Sequence, residues 1–197
     1  MMSPPRYLCV FCGSSSGSRP VHAEMAKRVG KAIAREGLGL VYGGGSVGLM
    51  GIVADAALAA GASVIGVIPQ HLARKEIVHD RLTEIHIVGD MHQRKAMMAD
   101  RSFAFLTLAG GIGTLEEFFE ILSWAALGLH SKPMGVLDTD GIYQPLRALL
   151  AHTVVEGFTR AQYIDAITYG SDPEDLVVKL ARQSPHILEA RWTQPAP

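Results

Sequence analysis

Cysteine is almost absent from this chain. Its 197 residues contain two, Cys9 and Cys12, which excludes a disulfide-stapled scaffold and leaves too few thiols for a structural zinc site. The C-x-x-C spacing falls on a strand entering a loop, not at a helix N-terminus, so a thioredoxin-type redox pair is not expected. Side chains three apart on an extended chain point to opposite faces, which sends Cys9 into a core and Cys12 towards the loop. Net charge is equally scarce: 18 Lys and Arg stand against 19 Asp and Glu, and cationic residues gather only in small clusters such as Arg94-Lys95. That is no track for a polyanion, so nucleic acid is not expected as a partner. No apolar run approaches the roughly 18 residues of a membrane span. The opening residues Met1 to Arg6 carry one charge and no long apolar stretch, so no secretory signal is expected and the chain reads as cytoplasmic. The eight histidines are scattered without ligand spacing, so no metal is expected.

What is present is a repeating alternation of apolar runs and helical patterns. Hydrophobic residues make up 48% of the chain, enough to fill a core for one α/β domain. Strands are predicted at Tyr7 to Phe11, Leu38 to Tyr42, Ser63 to Ile68, Glu84 to Val88, Phe103 to Leu108 and Pro133 to Leu137. Helices are predicted at Val21 to Arg35, Leu49 to Ala60, Met91 to Asp100, Thr114 to Leu127, Tyr143 to Glu156 and Pro173 to Arg182. Residues 1–182 then form one Rossmann-like doubly wound α/β domain, a mainly parallel sheet with helices on both faces. Residues 183–197, with three prolines, read as a loosely docked tail.

Ligands of such folds sit beyond the carboxyl ends of the strands. Three small-residue loops fall there: Gly13-Ser14-Ser15, Gly43-Gly44-Gly45 and Gly110-Gly111-Ile112-Gly113. Gly43, Gly45 and Gly48 match G-x-G-x-x-G, but after the second strand, and no acidic residue ends the next strand, where Ile68-Pro69 stands. A dinucleotide is therefore disfavoured against a mononucleotide. The third loop lacks the Lys-Ser/Thr of a P-loop, yet a strand–glycine turn–helix passage presents backbone N–H groups to an anion, above all phosphate. Glu116 and Glu117 follow in what reads as the first turn, and carboxylates beside a phosphate seat suggest chemistry on the molecule that carries it. Thr114-x-x-Glu117 also matches a capping box; a capped glutamate is also a well-oriented one. Arg94 and Lys95 begin a helix, where the helix dipole disfavours cations, and a broken local rule marks a candidate site.

Taken in order, these segments resemble the LONELY GUY family, cytokinin riboside 5′-monophosphate phosphoribohydrolases that are often labelled lysine decarboxylases. The residues that carry the resemblance are Phe11 to Ser15, Val41 to Gly51, Val64 to Pro69, Asp90 to Lys95, Gly110 to Glu117, Trp124 to His130, Lys132-Pro133 and Glu156 to Phe158. It spans roughly Tyr7 to Leu180. The family motif P-G-G-x-G-T-x-x-E is kept except that Ala109 replaces the proline, and Phe103 stands where the family usually has aspartate.

The resemblance implies hydrolysis of the N-glycosidic bond of an N6-modified adenosine 5′-monophosphate, without metal or redox cofactor. It implies Arg94 and Glu117 as catalytic. It implies substrate contacts at Glu76, Arg94, Lys95, Gly110, Gly111, Ile112, Gly113, Thr114, Leu115, Glu116 and Ser123, with Gly13, Ser14, Gly43, Gly44 and Gly45 as further nucleotide-loop positions. It also implies a homodimer, with Trp124 to His130 near a shared site. The alternatives are a nucleosidase acting on AMP or a related nucleotide, and a nucleotide-binding protein without turnover. A pyridoxal phosphate decarboxylase is disfavoured, since neither Lys95 nor Lys132 has the setting of a Schiff-base lysine.

Overall fold

The computed structural model describes residues 6–73 and 78–185. Its seven strands are β1 (Tyr7–Phe11), β2 (Gly39–Tyr42), β3 (Val64–Pro69), β4 (Glu84–Val88), β5 (Ser102–Thr107), β6 (Met134–Leu137) and β7 (Ile167–Gly170). They form one sheet in the order β4-β3-β2-β1-β5-β6-β7, and every neighbouring pair is parallel. The helices are α1 (Pro20–Arg35), α2 (Gly48–Ala59), α3 (Gln70–Ala73), α4 (Met91–Arg101), α5 (Ile112–Ala126), α6 (Gln144–Val155), α7 (Ala161–Asp165) and α8 (Pro173–Arg182).

The strands are buried on both faces, which is why they read as continuous apolar runs. Alternation along each strand divides the core in two. Leu8, Val10, Leu40, Tyr42, Ala104 and Leu106 face α1, α2 and α8. Cys9, Phe11, Val41 and Phe105 face α4, α5 and α6. Cys9 and Cys12 are both free and buried, and they belong to opposite layers. The alanine-rich α2 approaches α1 so closely that a Cβ on Gly30 would lie 2.5 Å from the Val53 carbonyl oxygen.

Strand order reverses between β1 and β5. Successive strands wind one way from β1 to β4, then the chain crosses back to β5 on the other side of β1. The loops leaving β1 and β5 therefore diverge and open a crevice at the carboxyl edge, the switch point where doubly wound sheets bind ligands.

Most predicted elements differ from the structure by one or two residues at their ends. Four elements were not predicted: α3, α7, β7 and a short 3-10 helix at Thr139–Gly141. β7 is four residues long with three of them only half-buried, too short and too polar for an apolar-run signature. The expected tail lies outside the described residues from 186 onwards.

Candidate active site

Three backbone hydrogen bonds join the loops at the crevice. Gly13 N–H donates to the Ala109 carbonyl (3.0 Å), and the Gly13 carbonyl accepts from Leu49 N–H (3.0 Å) and Met50 N–H (3.3 Å). The second and third bonds plug the N-terminus of α2. The helix that follows the G-x-G-x-x-G run thus spends its free donors on the protein itself, and offers no seat for a pyrophosphate. Gly48 adopts φ +61°, and a Cβ there would lie 2.2 Å from the Ser14 carbonyl carbon, so this close approach requires glycine.

The N-terminus of α5 is built differently. The helix begins at Ile112, with Gly111 as an extended N-cap and no side-chain cap. The first helix-type bond to that cap comes from Leu115 N–H, 3.1 Å from the Gly111 carbonyl. Helix geometry leaves the N–H groups of Ile112, Gly113 and Thr114 without intrahelical partners. The capping-box expectation is thus overturned. Thr114 lies inside the helix, folded back over Gly110, whose hypothetical Cβ would sit 2.1 Å from the Thr114 hydroxyl oxygen. Glu116 and Glu117 also lie beyond the first turn, which contains no acidic residue. A Cβ added to Gly111 or Gly113 would meet no protein atom within 4 Å, so the free donors face open space. That is the geometry of an anion seat.

A cavity of about 320 Å³ lies over this helix end, within the size range of small-molecule sites. Its wall includes Gly13, Ser14, Gly43, Gly111, Ile112, Gly113, Thr114, Arg94, Glu116 and Glu117, with Val10, Met50, Leu72 and Met91 as apolar members. Arg94 rises from α4, whose N-cap Asp90 accepts from Gln93 N–H (2.8 Å). The guanidinium is buried and stands 3.8 Å from the Glu117 carboxylate. Its Nε has no partner among the described residues. It lies against Gly43, where a Cβ would be 2.0 Å from Arg94 Nη2; the glycine makes room for the arginine. Burial pushes the Glu117 carboxyl up to about 7, while Arg94 pulls it back down. A carboxyl poised near neutrality beside a buried cation can exchange protons or stabilise developing positive charge.

Other expected site residues are placed elsewhere. Lys95 does not line the cavity; its ammonium is 2.5 Å from Glu116 and 2.9 Å from Glu120. Leu115 packs on the core beneath α5. Ser123 lines an apolar groove with Phe119, Leu127 and Phe158. Gly44 and Gly45 do not line the cavity either. They hold a neighbouring segment, Gly44 accepting from His79 N–H (3.1 Å) and Gly45 pairing with Val78. Glu76 lies outside the described residues. Phe103 stands at the amino end of β5, under the Arg6 guanidinium at 3.9 Å, at the opposite edge of the sheet from the cavity. Ala109 supplies the carbonyl that receives Gly13. Sequence reasoning missed Met50 and Met91 as cavity-wall residues, although both lie in segments that carry the resemblance, as well as Leu72, which lies in none, and the Gly43–Arg94 contact, which only the fold creates. Among the described residues no group of three or more His, Cys, Asp or Glu is placed to hold a metal ion.

The family model described as "Possible lysine decarboxylase" matches residues 50–180. The chain is 47% identical over 191 residues to a protein of Oryza sativa subsp. japonica named probable cytokinin riboside 5′-monophosphate phosphoribohydrolase, covering 95% of this chain and 78% of that one. It is 51% identical over 155 residues to the cytokinin riboside 5′-monophosphate phosphoribohydrolase of Rhodococcoides fascians, covering 78% of each. A namesake from Arabidopsis thaliana is 44% identical over 182 residues, 92% of this chain and 84% of that one. Among solved structures, the molybdenum cofactor carrier protein of Chlamydomonas reinhardtii matches with a TM-score of 0.70 and 21% identity, over 91% of this chain and 98% of that one. That likeness is one of fold. The decarboxylase label finds no support in Lys95, held by two carboxylates, or in Lys132, which precedes β6 at the amino edge of the sheet and donates to the Ala99 carbonyl at 2.5 Å.

Proposed function

Because the chain belongs to the LONELY GUY family of cytokinin riboside 5′-monophosphate phosphoribohydrolases, we propose that it hydrolyses the N-glycosidic bond of an N6-modified adenosine 5′-monophosphate. The products are the free base and ribose 5-phosphate. The observation that carries this reading is the buried Arg94–Glu117 pair, 3.8 Å apart, beside an uncapped helix N-terminus in one cavity. In this reading the 5′-phosphate rests on the N–H groups of Ile112, Gly113 and Thr114, and the Arg94 guanidinium supplies charge-assisted bonds to it.

The C1′–N9 bond breaks with its electron pair leaving on the base, which takes up a proton. The sugar passes through an oxocarbenium-like state, as in glycoside hydrolysis, and water adds its oxygen to C1′. The Glu117 carboxylate stabilises that positive charge and accepts the proton that the attacking water releases. Arg94 opposes the effect of burial on Glu117, so that a share of the carboxyl is ionised near neutral pH, and it steadies the phosphate as well. Met50, Leu72 and Met91 provide an apolar wall suited to an N6-alkyl group, which favours a prenylated base over plain adenine.

Two broader features belong to the same proposal. The exposed apolar groove on α5 supports a homodimer. Among the described residues no helix is long and apolar enough to cross a membrane, and a nucleotide substrate accords with the cytoplasm.

The test is product release from isopentenyladenosine 5′-monophosphate and from AMP in parallel, with EDTA present. Faster release of the prenylated base is expected. Preference for AMP would move the protein to general nucleotide salvage. Binding of both without product would leave it a nucleotide-binding protein.

A further inference from the structure

At the cavity wall and behind it, three charged side chains close on one another. Lys95 on α4 is buried, with 9% of its surface exposed. Its ammonium is 2.5 Å from a Glu116 carboxylate oxygen and 2.9 Å from one of Glu120. Glu116 and Glu120 stand one turn apart on α5. Like charges at that spacing repel by a few tenths of a kcal/mol, and the ammonium between them is what makes the arrangement stable. The two carboxylates differ in what else they touch. Glu116 is half exposed and lines the cavity, whereas the side chain of Glu120 is 19% exposed and is not among the residues that line it. Glu120 therefore meets the site through Lys95, which it holds, and through its charge, which acts on Glu117.

We propose that Glu120 is a positioning residue for the reaction: by gripping Lys95 from behind it fixes the Glu116 carboxylate at the cavity wall and offsets one of the two cationic charges beside Glu117. This rests on the hydrolase reading of the same site. Without Glu120, Lys95 has one anchor, on a half-exposed side chain, and both are free to move towards solvent together. The cluster also loses one negative charge at close range.

The groups that face Glu117 are Arg94 and Lys95 from α4, Glu116 and Glu120 from its own helix, and the buried thiols of Cys9 and Cys12 from β1 and its loop. The thiols are held neutral, chiefly by burial, so the balance is set by two cations and two carboxylates. Burial is the largest influence on Glu117. Among its neighbours Arg94 and Lys95 lower its affinity for a proton, and Glu116 and Glu120 raise it. Removing the charge at residue 120 shifts that balance towards the ionised form of Glu117.

The experiment compares wild type, Glu120→Gln and Glu120→Asp. The glutamine is isosteric and neutral; the aspartate keeps the charge and shortens the reach. Two readouts are taken. The first is the pH profile of kcat/KM with isopentenyladenosine 5′-monophosphate. The second is the titration of the Glu117 side-chain carboxyl by NMR in glutamate-labelled protein without substrate. In Glu120→Gln both the acid limb and the Glu117 titration should move down by about half a unit, and KM should rise several-fold. Glu120→Asp should restore the titration in part.

A lower melting temperature with both pH curves unmoved would reduce Glu120 to a structural salt bridge and overturn the inference. If the wild type shows no turnover, the hydrolase reading fails, and the NMR titration still decides the electrostatic coupling. If Glu120→Gln does not fold, Glu120→Asp carries the test alone: its shortened reach should raise KM, and a KM equal to that of the wild type would overturn the inference.

Discussion

A carboxyl with only 9% of its surface exposed stays ionised only as far as the charges around it allow. Glu117 is raised from 4.5 to about 7 by burial, against the pull of Arg94. The sign has a consequence for stability. The folded state holds the proton more tightly than the unfolded chain between those values, so this residue makes the protein less stable as pH rises through that window. At about 1.4 kcal/mol per unit, the cost at pH 8 is on the order of 3 to 4 kcal/mol. Glu117→Gln should therefore flatten the fall in melting temperature between pH 5 and pH 8 while abolishing turnover and keeping nucleotide affinity. Full activity in that variant would leave Glu117 no catalytic part. Arg94→Ala should lower kcat/KM by well over tenfold, about 1.4 kcal/mol. Gly43→Ala should produce a similar loss for a different reason: its methyl group would lie 2.0 Å from Arg94 Nη2 and must displace the guanidinium. A Gly43→Ala enzyme with wild-type kinetics would show that the position of Arg94 in the cavity does not matter.

At the scale of the element, α5 carries most of the site and most of what the sequence concealed. The strand–glycine–helix pattern was legible, because Phe103 to Leu108 is an apolar run and the glycines interrupt it. The start of the helix was not. Thr114 and Glu117 have the spacing of a cap, but Gly111 already turns the chain, and the helix begins with its donors unfilled. Membership of the cavity was only partly legible for the same geometric reason. Successive residues turn by about 100° around a helix, so Leu115 lies about 200° from Glu117 and packs on the core, while Ser123 turns to the groove. A contiguous motif is thus distributed over three faces. The helix end also yields a prediction in which stability and activity part company. Gly113→Ala meets no protein atom within 4 Å and removes a helical glycine, which should raise stability by up to about 1 kcal/mol. The same methyl group stands beside the free N–H groups, so KM for the nucleotide should rise. Thermal melting and steady-state kinetics on one preparation check both signs. A rise in stability with KM unchanged would separate the α5 N-terminus from phosphate recognition.

At the scale of the whole molecule, the parallel sheet with helices on both faces was foreshadowed by the alternation of runs and helices, yet one feature of the surface has no counterpart in sequence periodicity. The far side of α5 meets α6 and the segment after it in an apolar groove lined by Phe119, Leu122, Leu127, Leu150 and Phe158. Phe158 is 78% exposed and Leu129 69%. Exposed apolar side chains gathered at a groove that also carries Ser123, Thr159 and Arg160 suit an interaction face, and an isologous pairing of two copies would bury them on both at once. Ser123, which the family resemblance assigns to substrate contact, lies in this groove rather than at its own chain's cavity. A second copy docked here would place a foreign surface against the helix whose other faces hold Glu116, Glu117 and Glu120. Dimerisation should therefore affect activity as well as stability. Phe158→Asp introduces an unpaired charge into the proposed contact and touches no residue of the cavity. It should shift the protein from dimer to monomer in sedimentation velocity at micromolar concentration, and kcat/KM should fall with the dimer fraction. A wild type that sediments as a monomer across that range would remove the dimer, and retained activity in a monomeric Phe158→Asp would show that each chain's cavity is sufficient alone.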